Sequence, residues 1–252
     1  GRARRARFDP ASGMSRLVTE RVTRAEAEQR RGRAGRVAPG TCYRLWSKGE
    51  EGALAAFPPP EIASTDLTGL ALELALWGAT DLPFLTPPPP TALAEAQALL
   101  ADLGALDARG TITAHGRHLA ALPLHPRLAH MLLKSGTSRA TAARLAALLA
   151  ERDPLRGAPP DLALRMAAIA DPRKVEAETP HFVHRATIER IRAEAKRLER
   201  LAPQADTGPA LTLGQLAALA YPDRVGLRRK GEAPRWLLSG GKGAAMEPGL
   251  PD

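Results

Sequence analysis

Residues 27–40, AEQRRGRAGRVAPG, hold four arginines and three glycines in fourteen positions. A guanidinium group is a planar, permanently charged donor that fits two phosphate oxygens at once, so this composition is typical of a site for phosphate groups. Arg33 and Arg36 are three residues apart, which places both on one face, converging on one phosphate, if the helix continues through them. Gly32 and Gly35 remove side chains where another backbone or a nucleotide would come close.

Two plainer interpretations of this run are a disordered nucleic-acid-binding tail and a solvated basic face. The neighbouring residues argue against a tail. Thr23 and Glu26 match the capping box, which predicts a helix that begins near Arg24. Residues 40–47, GTCYRLWS, predict a strand, because Thr41, Tyr43 and Leu45 alternate with Cys42, Arg44 and Trp46. Cys42 is expected to be packed in this strand. The arginines are therefore expected at a helix end, between two ordered elements.

The basic character of the chain is concentrated near its beginning. The 252 residues carry a net charge of +9. Residues 1–50 hold 13 Lys and Arg against 5 Asp and Glu, a balance of +8, whereas the other 202 residues hold 23 against 22, a balance of +1. A local excess of this kind favours phosphate groups or nucleic acid as the partner and argues against a generally basic protein.

The cysteine content and the hydropathy indicate a cytoplasmic protein. One cysteine excludes an internal disulfide and favours a reducing compartment. No apolar run approaches the ~20 residues of a membrane span, and the first ten residues, GRARRARFDP, lack the apolar core of a signal peptide. Because the chain starts without Met and in a basic, strand-like stretch, we expect it to be a fragment of a longer protein.

A β-hairpin is predicted ahead of the helix. Arg5 and Arg7 alternate with Ala6 and Phe8, the residues DPASG supply turn chemistry, and apolar residues then resume. The hairpin carries five arginines, which are Arg4, Arg5, Arg7, Arg16 and Arg21. Two interpretations stay open on these residues alone: a wedge that contacts nucleic acid, and an edge hairpin whose charges prevent aggregation.

The rest of the chain is predicted to be mainly helical. The break FPPPEI places a boundary near Pro58, and the order helix, helix, two short strand-like pieces predicts a winged-helix unit. Helices continue from residue 119, and the residues after 223 lose the helical period and gain glycine, as the start of a β-rich domain would. The predicted fold is therefore mixed and mainly α.

No metal site is predicted. The six histidines fall in pairs on different helices, whereas zinc needs four ligands in one cavity, so helix caps and helix faces explain the histidines better. The run SGGKGAA at residues 239–245 departs from the phosphate-loop pattern. Trp236 stands at the position of its first glycine, and Gly243 at that of its Ser or Thr.

Residues 29–36, QRRGRAGR, match Q-R-x-G-R-x-G-R and resemble motif VI of the superfamily 2 DExH/DEAH helicases. The stretch around them, SGMSRLVTERVTRAEAEQRRGRAGRVAPGTCYRLWS, is similar to the end of the second RecA-like domain in the bacterial HrpB group. PEIASTDLTGLALELALWGATD, ALDARGTITAHGRHLAALPLHPRLAHMLL and ALAYPDRVGLRRKG resemble that group's winged-helix, helical ratchet and C-terminal parts. The resemblance covers nearly the whole chain. It implies the end of a RecA-like domain at 1–57, a winged helix at 58–118, a ratchet (HA2-like) domain at 119–205 and the start of a C-terminal domain at 206–252.

The resemblance also implies roles for the arginines. Gln29, Arg33 and Arg36 would face the γ-phosphate of ATP across a cleft between two RecA-like domains. Arg33 and Arg36 would act there as arginine fingers. Single-stranded RNA would lie against four arginines of the hairpin, which are Arg4, Arg5, Arg7 and Arg16.

ATP and Mg²⁺ are implied together, but other elements of the family's nucleotide site do not occur in this sequence. It has no phosphate loop, and no Asp-Glu dipeptide that would belong to D-E-x-H. The Mg²⁺ ligands and the first RecA-like domain are therefore expected elsewhere in a longer chain. These 252 residues alone are expected to show no ATPase activity.

Two other classes of protein compete with the helicase hypothesis. A free-standing winged-helix protein would bind nucleic acid without enzymatic activity, but the stretch TALAEAQALLADLG contains no Lys or Arg and is poorly suited to reading a DNA groove. A scaffold module built on the helical part would leave the basic region and the arginine motif unexplained. The helicase hypothesis accounts for both.

Overall fold

A β-hairpin begins the computed structural model, which describes residues 1–9, 14–79, 82–202 and 208–246. β1 (Arg2–Asp9) pairs antiparallel with β2 (Met14–Arg21) along the whole length of both strands. The predicted hairpin is confirmed, although four residues of its predicted turn lie outside the described residues. Because successive side chains of a strand lie on opposite faces, Arg5 and Arg7 share one face and Arg4 lies on the other.

The helix predicted after the hairpin is also confirmed. α1 (Arg24–Ala34) begins at a capping box, in which the Glu26 backbone N–H donates to the Thr23 hydroxyl and the Thr23 backbone N–H donates to the Glu26 carboxylate. α2 (Lys48–Gly52) begins at a second box of the same design. Each box supplies acceptors for N–H groups that the start of a helix leaves without partners.

The strand predicted at residues 40–47 is wrong. These residues form neither helix nor strand, and Cys42 is exposed rather than packed. Alternating side chains stabilise a strand only where neighbouring backbone provides hydrogen bonds and a core covers one face. Within the described residues, β1 and β2 pair with each other and no strand pairs with 40–47.

Helices and a small wing follow in the predicted order. The two predicted strand-like pieces form a single antiparallel bridge, between Leu106 and Ile112, rather than full strands. The wing turns at Gly110, whose φ of 77° lies in the left-handed region that glycine adopts without strain. The helices around the wing are α3 (Thr68–Trp77), α4 (Pro90–Asp102) and α5 (Ala114–Ala120).

A larger helical region comes next, and α7 (Arg139–Ala150) packs against α10 (Arg185–Leu201) at its centre. Ala146 and Leu145 of α7 and Ile188, Ile191 and Leu198 of α10 are at most 1% exposed. Alanine lets the helix axes approach, and apolar residues at three- and four-residue spacing cover one face of α10. The helices are α6 (Pro126–Lys134), α7 (Arg139–Ala150), α8 (Leu162–Ala170), α9 (Pro172–Glu178), α10 (Arg185–Leu201) and α11 (Leu213–Ala220). A short antiparallel pair is formed by β3 (Leu155–Arg156) and β4 (Phe182–Val183).

Buried arginines tie helices of this region to loops. Arg127 on α6 is 4% exposed, and its guanidinium donates to the Ala220 carbonyl (3.2 Å) and to the Asp223 carboxylate (3.0 Å). Arg165 on α8 is 8% exposed and pairs with Asp153 (2.6 Å). A guanidinium is stable inside a protein only with such partners, so both arginines are structural.

A three-stranded antiparallel sheet follows α11, with β6 (Arg235–Leu238) between β5 (Gly226–Arg228) and β7 (Gly243–Ala245). This confirms the predicted change from helix to strand after residue 223. The fold is mainly helical, as predicted, and none of the described helices is both long and apolar enough to cross a membrane. The strands of the sheet are β5 (Gly226–Arg228), β6 (Arg235–Leu238) and β7 (Gly243–Ala245).

The chain forms two compact units. One consists of Gly1–Ala71 with Ala79–Leu99, and the other of Leu72–Gly78 with Leu100–Asp252. The hairpin, α1 and α2 all belong to the first unit. The domain boundaries predicted after residues 57, 118 and 205 stay predictions.

Candidate functional site

Residues 29–40, here called the arginine segment, comprise the last turns of α1 and the loop after it. The helix ends at Ala34, so Arg33 lies in the last turn and Arg36 lies in the loop. The shared helix face that their spacing predicts for a continuous helix is therefore absent. Gly35 follows the last helical residue, and the low helix propensity of glycine favours an end at this point.

Gly40 brings the loop back to the end of α1. A Cβ built on Gly40 would lie 2.6 Å from the carbonyl carbon of Ala34 and would overlap the carbonyl oxygen. Glycine is therefore required for this approach of the two backbones. Arg36 is carried on a short loop that is fixed at both ends. This closure was not predicted from the sequence, although the dipeptide Pro-Gly at 39–40 was an available sign of it.

The residues predicted to face ATP, which are Gln29, Arg33 and Arg36, are all exposed. Within residues 1–9, 14–79, 82–202 and 208–246, neither arginine takes part in an ion pair. Gln29 and Arg33 are four residues apart on α1 and share a face of the helix. A Cβ on Gly32 or Gly35 would meet nothing within 4 Å. The space beside these glycines is open to a group from outside the described residues.

The neighbouring arginines have partners within the chain, although Arg30 and Arg31 are also exposed. The guanidinium of Arg30 donates to the Arg2 carbonyl of β1 (3.3 Å). Arg31 pairs with Glu28, and Arg44 pairs with the other oxygen of the same carboxylate (3.0 Å). The cluster thus consists of arginines that fasten the helix to its surroundings and arginines that are available to a ligand.

The hairpin shows the same division. Arg5 pairs with Glu20 (3.1 Å) and with Glu26, and Arg7 pairs with Glu20 (2.9 Å). Arg4 and Arg16 are exposed and, in the described part of the chain, make no ion pair. The structure therefore places two of the four predicted RNA-binding arginines in internal pairs and two at the surface. The alternation of side chains along a strand predicts that Arg5 and Arg7 lie on the other face of the hairpin from Arg4. The sequence does not show which of the two faces contacts carboxylates.

The ion pair between Arg5 and Glu26 dominates the electrostatics of this region. The Arg5 guanidinium, followed by the backbone N–H of Thr23, lowers the pKa of Glu26 to about 2. The same contact with Glu26 raises the pKa of Arg5 above its already high value. Both groups are charged at every physiological pH, and the pair is constant rather than switchable.

His115 on α5 and His130 on α6 make a close contact. The His115 Nε2 and His130 Nδ1 atoms are 2.9 Å apart, and the rings meet edge to face. Burial, followed by the charge of His115, lowers the pKa of His130 to about 4. His125 and His184 accept backbone N–H bonds at the starts of α6 and α10, as predicted for helix caps. Among the described residues, no three His, Cys, Asp or Glu side chains are placed to hold a metal ion.

The structure is similar to two crystal structures of the Escherichia coli helicase HrpB. One, described as a DExH-box NTPase, matches with a TM-score of 0.73 and 36% identity over 98% of this chain and 28% of that chain. The other, described as a DEAH/RHA helicase, matches with a TM-score of 0.75 and 35% identity over 97% of this chain and 29% of that chain.

Comparisons of the sequence agree with the structural ones. Residues 96–124 match the helicase associated domain (HA2), winged-helix. Over 136 residues the chain is 38% identical to the probable ATP-dependent RNA helicase DHX34 of Homo sapiens, covering 53% of this chain and 12% of that protein. Over 247 residues it is 37% identical to the ATP-dependent RNA helicase HrpB of Escherichia coli K12, covering 96% of this chain and 28% of that protein. The chain spans less than a third of the length of either relative. Similarity to HrpB extends over almost all residues of the chain, which is therefore similar in both sequence and structure to the HrpB-type DEAH/RHA helicases.

Proposed function

We propose that this chain is part of an ATP-dependent RNA helicase and that its arginine segment contributes to the ATP site. The observation that carries the proposal is the exposure of Arg33 and Arg36, without carboxylate partners among the described residues. Arg30 and Arg31 of the same segment are also exposed but have partners within the chain, whereas the fold gives no partner to Arg33 and Arg36 among the described residues. The names of the relatives, which are ATP-dependent RNA helicases, support the assignment of ATP and RNA.

In this proposal Arg33 and Arg36 donate to oxygens of the γ-phosphate as charge shifts during hydrolysis. A planar guanidinium offers two parallel N–H donors to a phosphate. Gln29 lies one turn before Arg33 on the same face and would contact the same phosphate. Donors that are fixed before the reaction stabilise the transition state more than the ground state, so they raise turnover rather than affinity.

The nucleotide and Mg²⁺ need further groups. Arginines neutralise phosphate charge, but a metal ion needs carboxylate or similar ligands, and the described residues place no such group of three together. We therefore assign the phosphate loop and the Mg²⁺ ligands to another RecA-like domain of the same protein. The arginine segment would then complete the site from the opposite side of a cleft, as arginine fingers do in other NTPases.

The hairpin is proposed to contact the backbone of single-stranded RNA. Arg4 and Arg16 are exposed and would bind phosphates directly. Arg5 and Arg7 are neutralised by Glu20 and Glu26 and would instead hold the hairpin in place for these contacts. Contacts to phosphates carry no base information, so little sequence preference is expected. Closure of two RecA-like domains around ATP would move the RNA past this hairpin.

The decisive experiment replaces Arg36 by Lys in an HrpB-type helicase that contains this chain. Lys keeps the charge but loses the planar fork, so an interaction made mainly in the transition state should fail. We expect Arg36→Lys to lower kcat for ATP by about 10³ to 10⁵, or roughly 4–7 kcal/mol. Steady-state ATPase measured beside nucleotide and RNA Kd values should show that both affinities are largely kept.

Arg31→Lys is the matched control, because Arg31 belongs to the same segment but pairs with Glu28. A surface pair contributes about 0–1 kcal/mol, so this variant should keep turnover close to wild type. If Arg36→Lys also stays within about fivefold of wild type, ~1 kcal/mol, then Arg36 is structural and the proposed finger is wrong.

A further inference from the structure

The hairpin passes almost directly into the helix that carries the arginine segment. Only Val22 and Thr23 separate β2 from α1, and each is 2% exposed. The Val22 N–H donates to the Gly1 carbonyl (3.2 Å), and the Arg24 N–H donates to the Ala55 carbonyl (2.8 Å). Because this connection is short, buried and hydrogen-bonded, a displacement of the hairpin is passed on to α1.

Glu26 binds both elements at once. Its carboxylate accepts from the backbone N–H of Thr23 (2.8 Å) and from the Thr23 hydroxyl (3.0 Å), and it pairs with Arg5 of β1. Arg5 also pairs with Glu20 of β2 (3.1 Å), and Glu20 accepts from Arg7 (2.9 Å). A continuous set of charged contacts thus runs from both strands of the hairpin to the first turn of the helix.

A second contact lies one turn further along α1. Arg30 follows Glu26 by four residues, so the two side chains share one face of the helix. The Arg30 guanidinium donates to the Arg2 carbonyl of β1 (3.3 Å). β1 therefore contacts this face of α1 at two points. The contact at Glu26 is an ion pair, whereas the contact at Arg30 is a hydrogen bond to a backbone carbonyl.

We infer that Glu26 is a positioning residue that couples RNA binding at the hairpin to the placement of Arg33 and Arg36 at ATP. The inference rests on the proposed function of both elements. RNA that binds the hairpin restrains it, and the ion pair between Glu26 and Arg5 makes α1 share that restraint. When the ion pair is removed, the hairpin still binds RNA, but it holds α1 less firmly, through the backbone connection and the contact of Arg30 with the Arg2 carbonyl alone, so RNA stimulates turnover less.

The ion pair is well placed for this role. The side chains of Arg5 and Glu26 are 18% and 24% exposed, so both are largely covered. Partly covered charges are screened less by salt than fully solvated ones, and they hold a more fixed geometry. For comparison, the pair that Arg21 of the hairpin makes with Glu50 of α2 is longer (3.6 Å), and its side chains are 65% and 49% exposed.

Glu26→Gln removes the ion pair with Arg5 but keeps the hydrogen bond that caps α1. Gln is accepted at this position of a capping box, because its amide oxygen accepts the same backbone N–H. The chain itself contains such a box at the start of α11, where the Thr212 N–H donates to the Gln215 side chain (2.9 Å). The variant is therefore expected to fold, to begin α1 normally and to lose the charge opposite Arg5.

The test is the steady-state ATPase of an HrpB-type helicase that contains this chain, titrated with single-stranded poly(U) RNA. For Glu26→Gln we expect wild-type turnover without RNA. We expect RNA-stimulated kcat to fall about five- to fiftyfold, the usual size of a coupling between two sites. The Kd for RNA, measured by fluorescence anisotropy, should change little because the arginines that contact phosphates are retained.

Glu50→Gln is the matched control, since Glu50 fills the same capping-box position in α2, outside the arginine segment. It should leave stimulation by RNA at the wild-type level. Full stimulation in Glu26→Gln, or an equal loss of basal and stimulated turnover, would overturn the coupling role. A failure of the proposed function would be seen in another variant. In that case Arg36→Lys would keep wild-type ATPase turnover without RNA, whatever the result for Glu26→Gln.

Discussion

Arginines in two regions of this chain have opposite environments. On α6 and α8, Arg127 and Arg165 are buried, and each meets an aspartate. In the arginine segment, Arg33 and Arg36 are exposed and unpaired within the described residues. Because the residue type is the same, the environment alone distinguishes arginines that stabilise the fold from arginines that are free to bind a ligand.

The difference also lies in what each arginine joins. Arg127 binds groups 93 and 96 positions further along the chain, at Ala220 and Asp223, and its guanidinium lies 5.3 Å from the centre of the Tyr221 ring. It therefore fixes the segment after α11 against α6. Arg36 has no side-chain partner in the described chain, and its loop is closed by the backbone contact of Gly40 with Ala34, only six residues away. Loss of Arg127 should affect folding, and loss of Arg36 should affect chemistry.

The largest effect that would sharpen this comparison is on stability. Arg127→Ala removes the close partner of the partly buried Asp223 carboxylate and leaves it only the longer contact with Arg224 (3.9 Å), so we expect the free energy of unfolding to fall by about 3 kcal/mol. Arg36→Ala removes an exposed, unpaired side chain and should stay within about 0.5 kcal/mol of wild type. Urea denaturation followed by circular dichroism measures both values. Equal destabilisation by the two variants would contradict the division between structural and available arginines.

The hairpin offers an intermediate test, because exposed and paired arginines lie on the same two strands. Arg4→Ala combined with Arg16→Ala should weaken binding to single-stranded RNA and reduce the log-log salt slope by about 0.7 for each phosphate that is no longer neutralised. Anisotropy titrations at several salt concentrations measure the slope. Arg31→Ala combined with Lys48→Ala removes the same charge outside the hairpin and serves as the control. A slope that responds equally to both double variants would mean that only net charge matters.

The smallest expected effect is a dependence of folding stability on pH, and it arises in the helical region that contains Arg127. His130 lies on α6, the helix that carries Arg127, and its folded pKa of about 4 is below the ~6.5 of an unfolded histidine. The unfolded chain therefore binds more protons between these values, and stability is lost as the pH falls from about 6.5 towards 4. We expect a loss on the order of 1 kcal/mol between pH 7 and pH 5.

Urea midpoints at the two pH values test this expectation, with His130→Gln as the comparison. The variant has no imidazole to protonate at this position, so its midpoint should depend less on pH over the same range. An identical pH dependence of wild type and variant would assign the effect to other groups.

Local chemistry explains what could be predicted from the sequence. The hairpin follows from strand alternation around a turn, and α1 follows from a capping box, Thr23 with Glu26, that lies within four residues. The exposed arginine motif was likewise recognised from eight consecutive residues. Each of these features depends on neighbours in the sequence, so no knowledge of the tertiary fold was needed.

Contacts between distant residues explain what could not be predicted. The strand expected at 40–47 required backbone partners that the pattern of side chains does not specify. The close approach of Gly40 to the Ala34 carbonyl depends on the path of the loop, which the sequence does not specify. The bond from Arg127 to Asp223 spans 96 positions, and nothing in the local sequence of α6 distinguishes Arg127 from a surface arginine.

The exposed thiol of Cys42 has a practical consequence. It lies two residues after Gly40, next to the loop that carries Arg36, and it is the sole cysteine of these 252 residues. A maleimide fluorophore would therefore attach to this chain at one defined point. In a helicase that contains this chain and has no other reactive cysteine, energy transfer from this dye to one on the nucleotide would test whether the loop approaches ATP, without any substitution in the arginine segment.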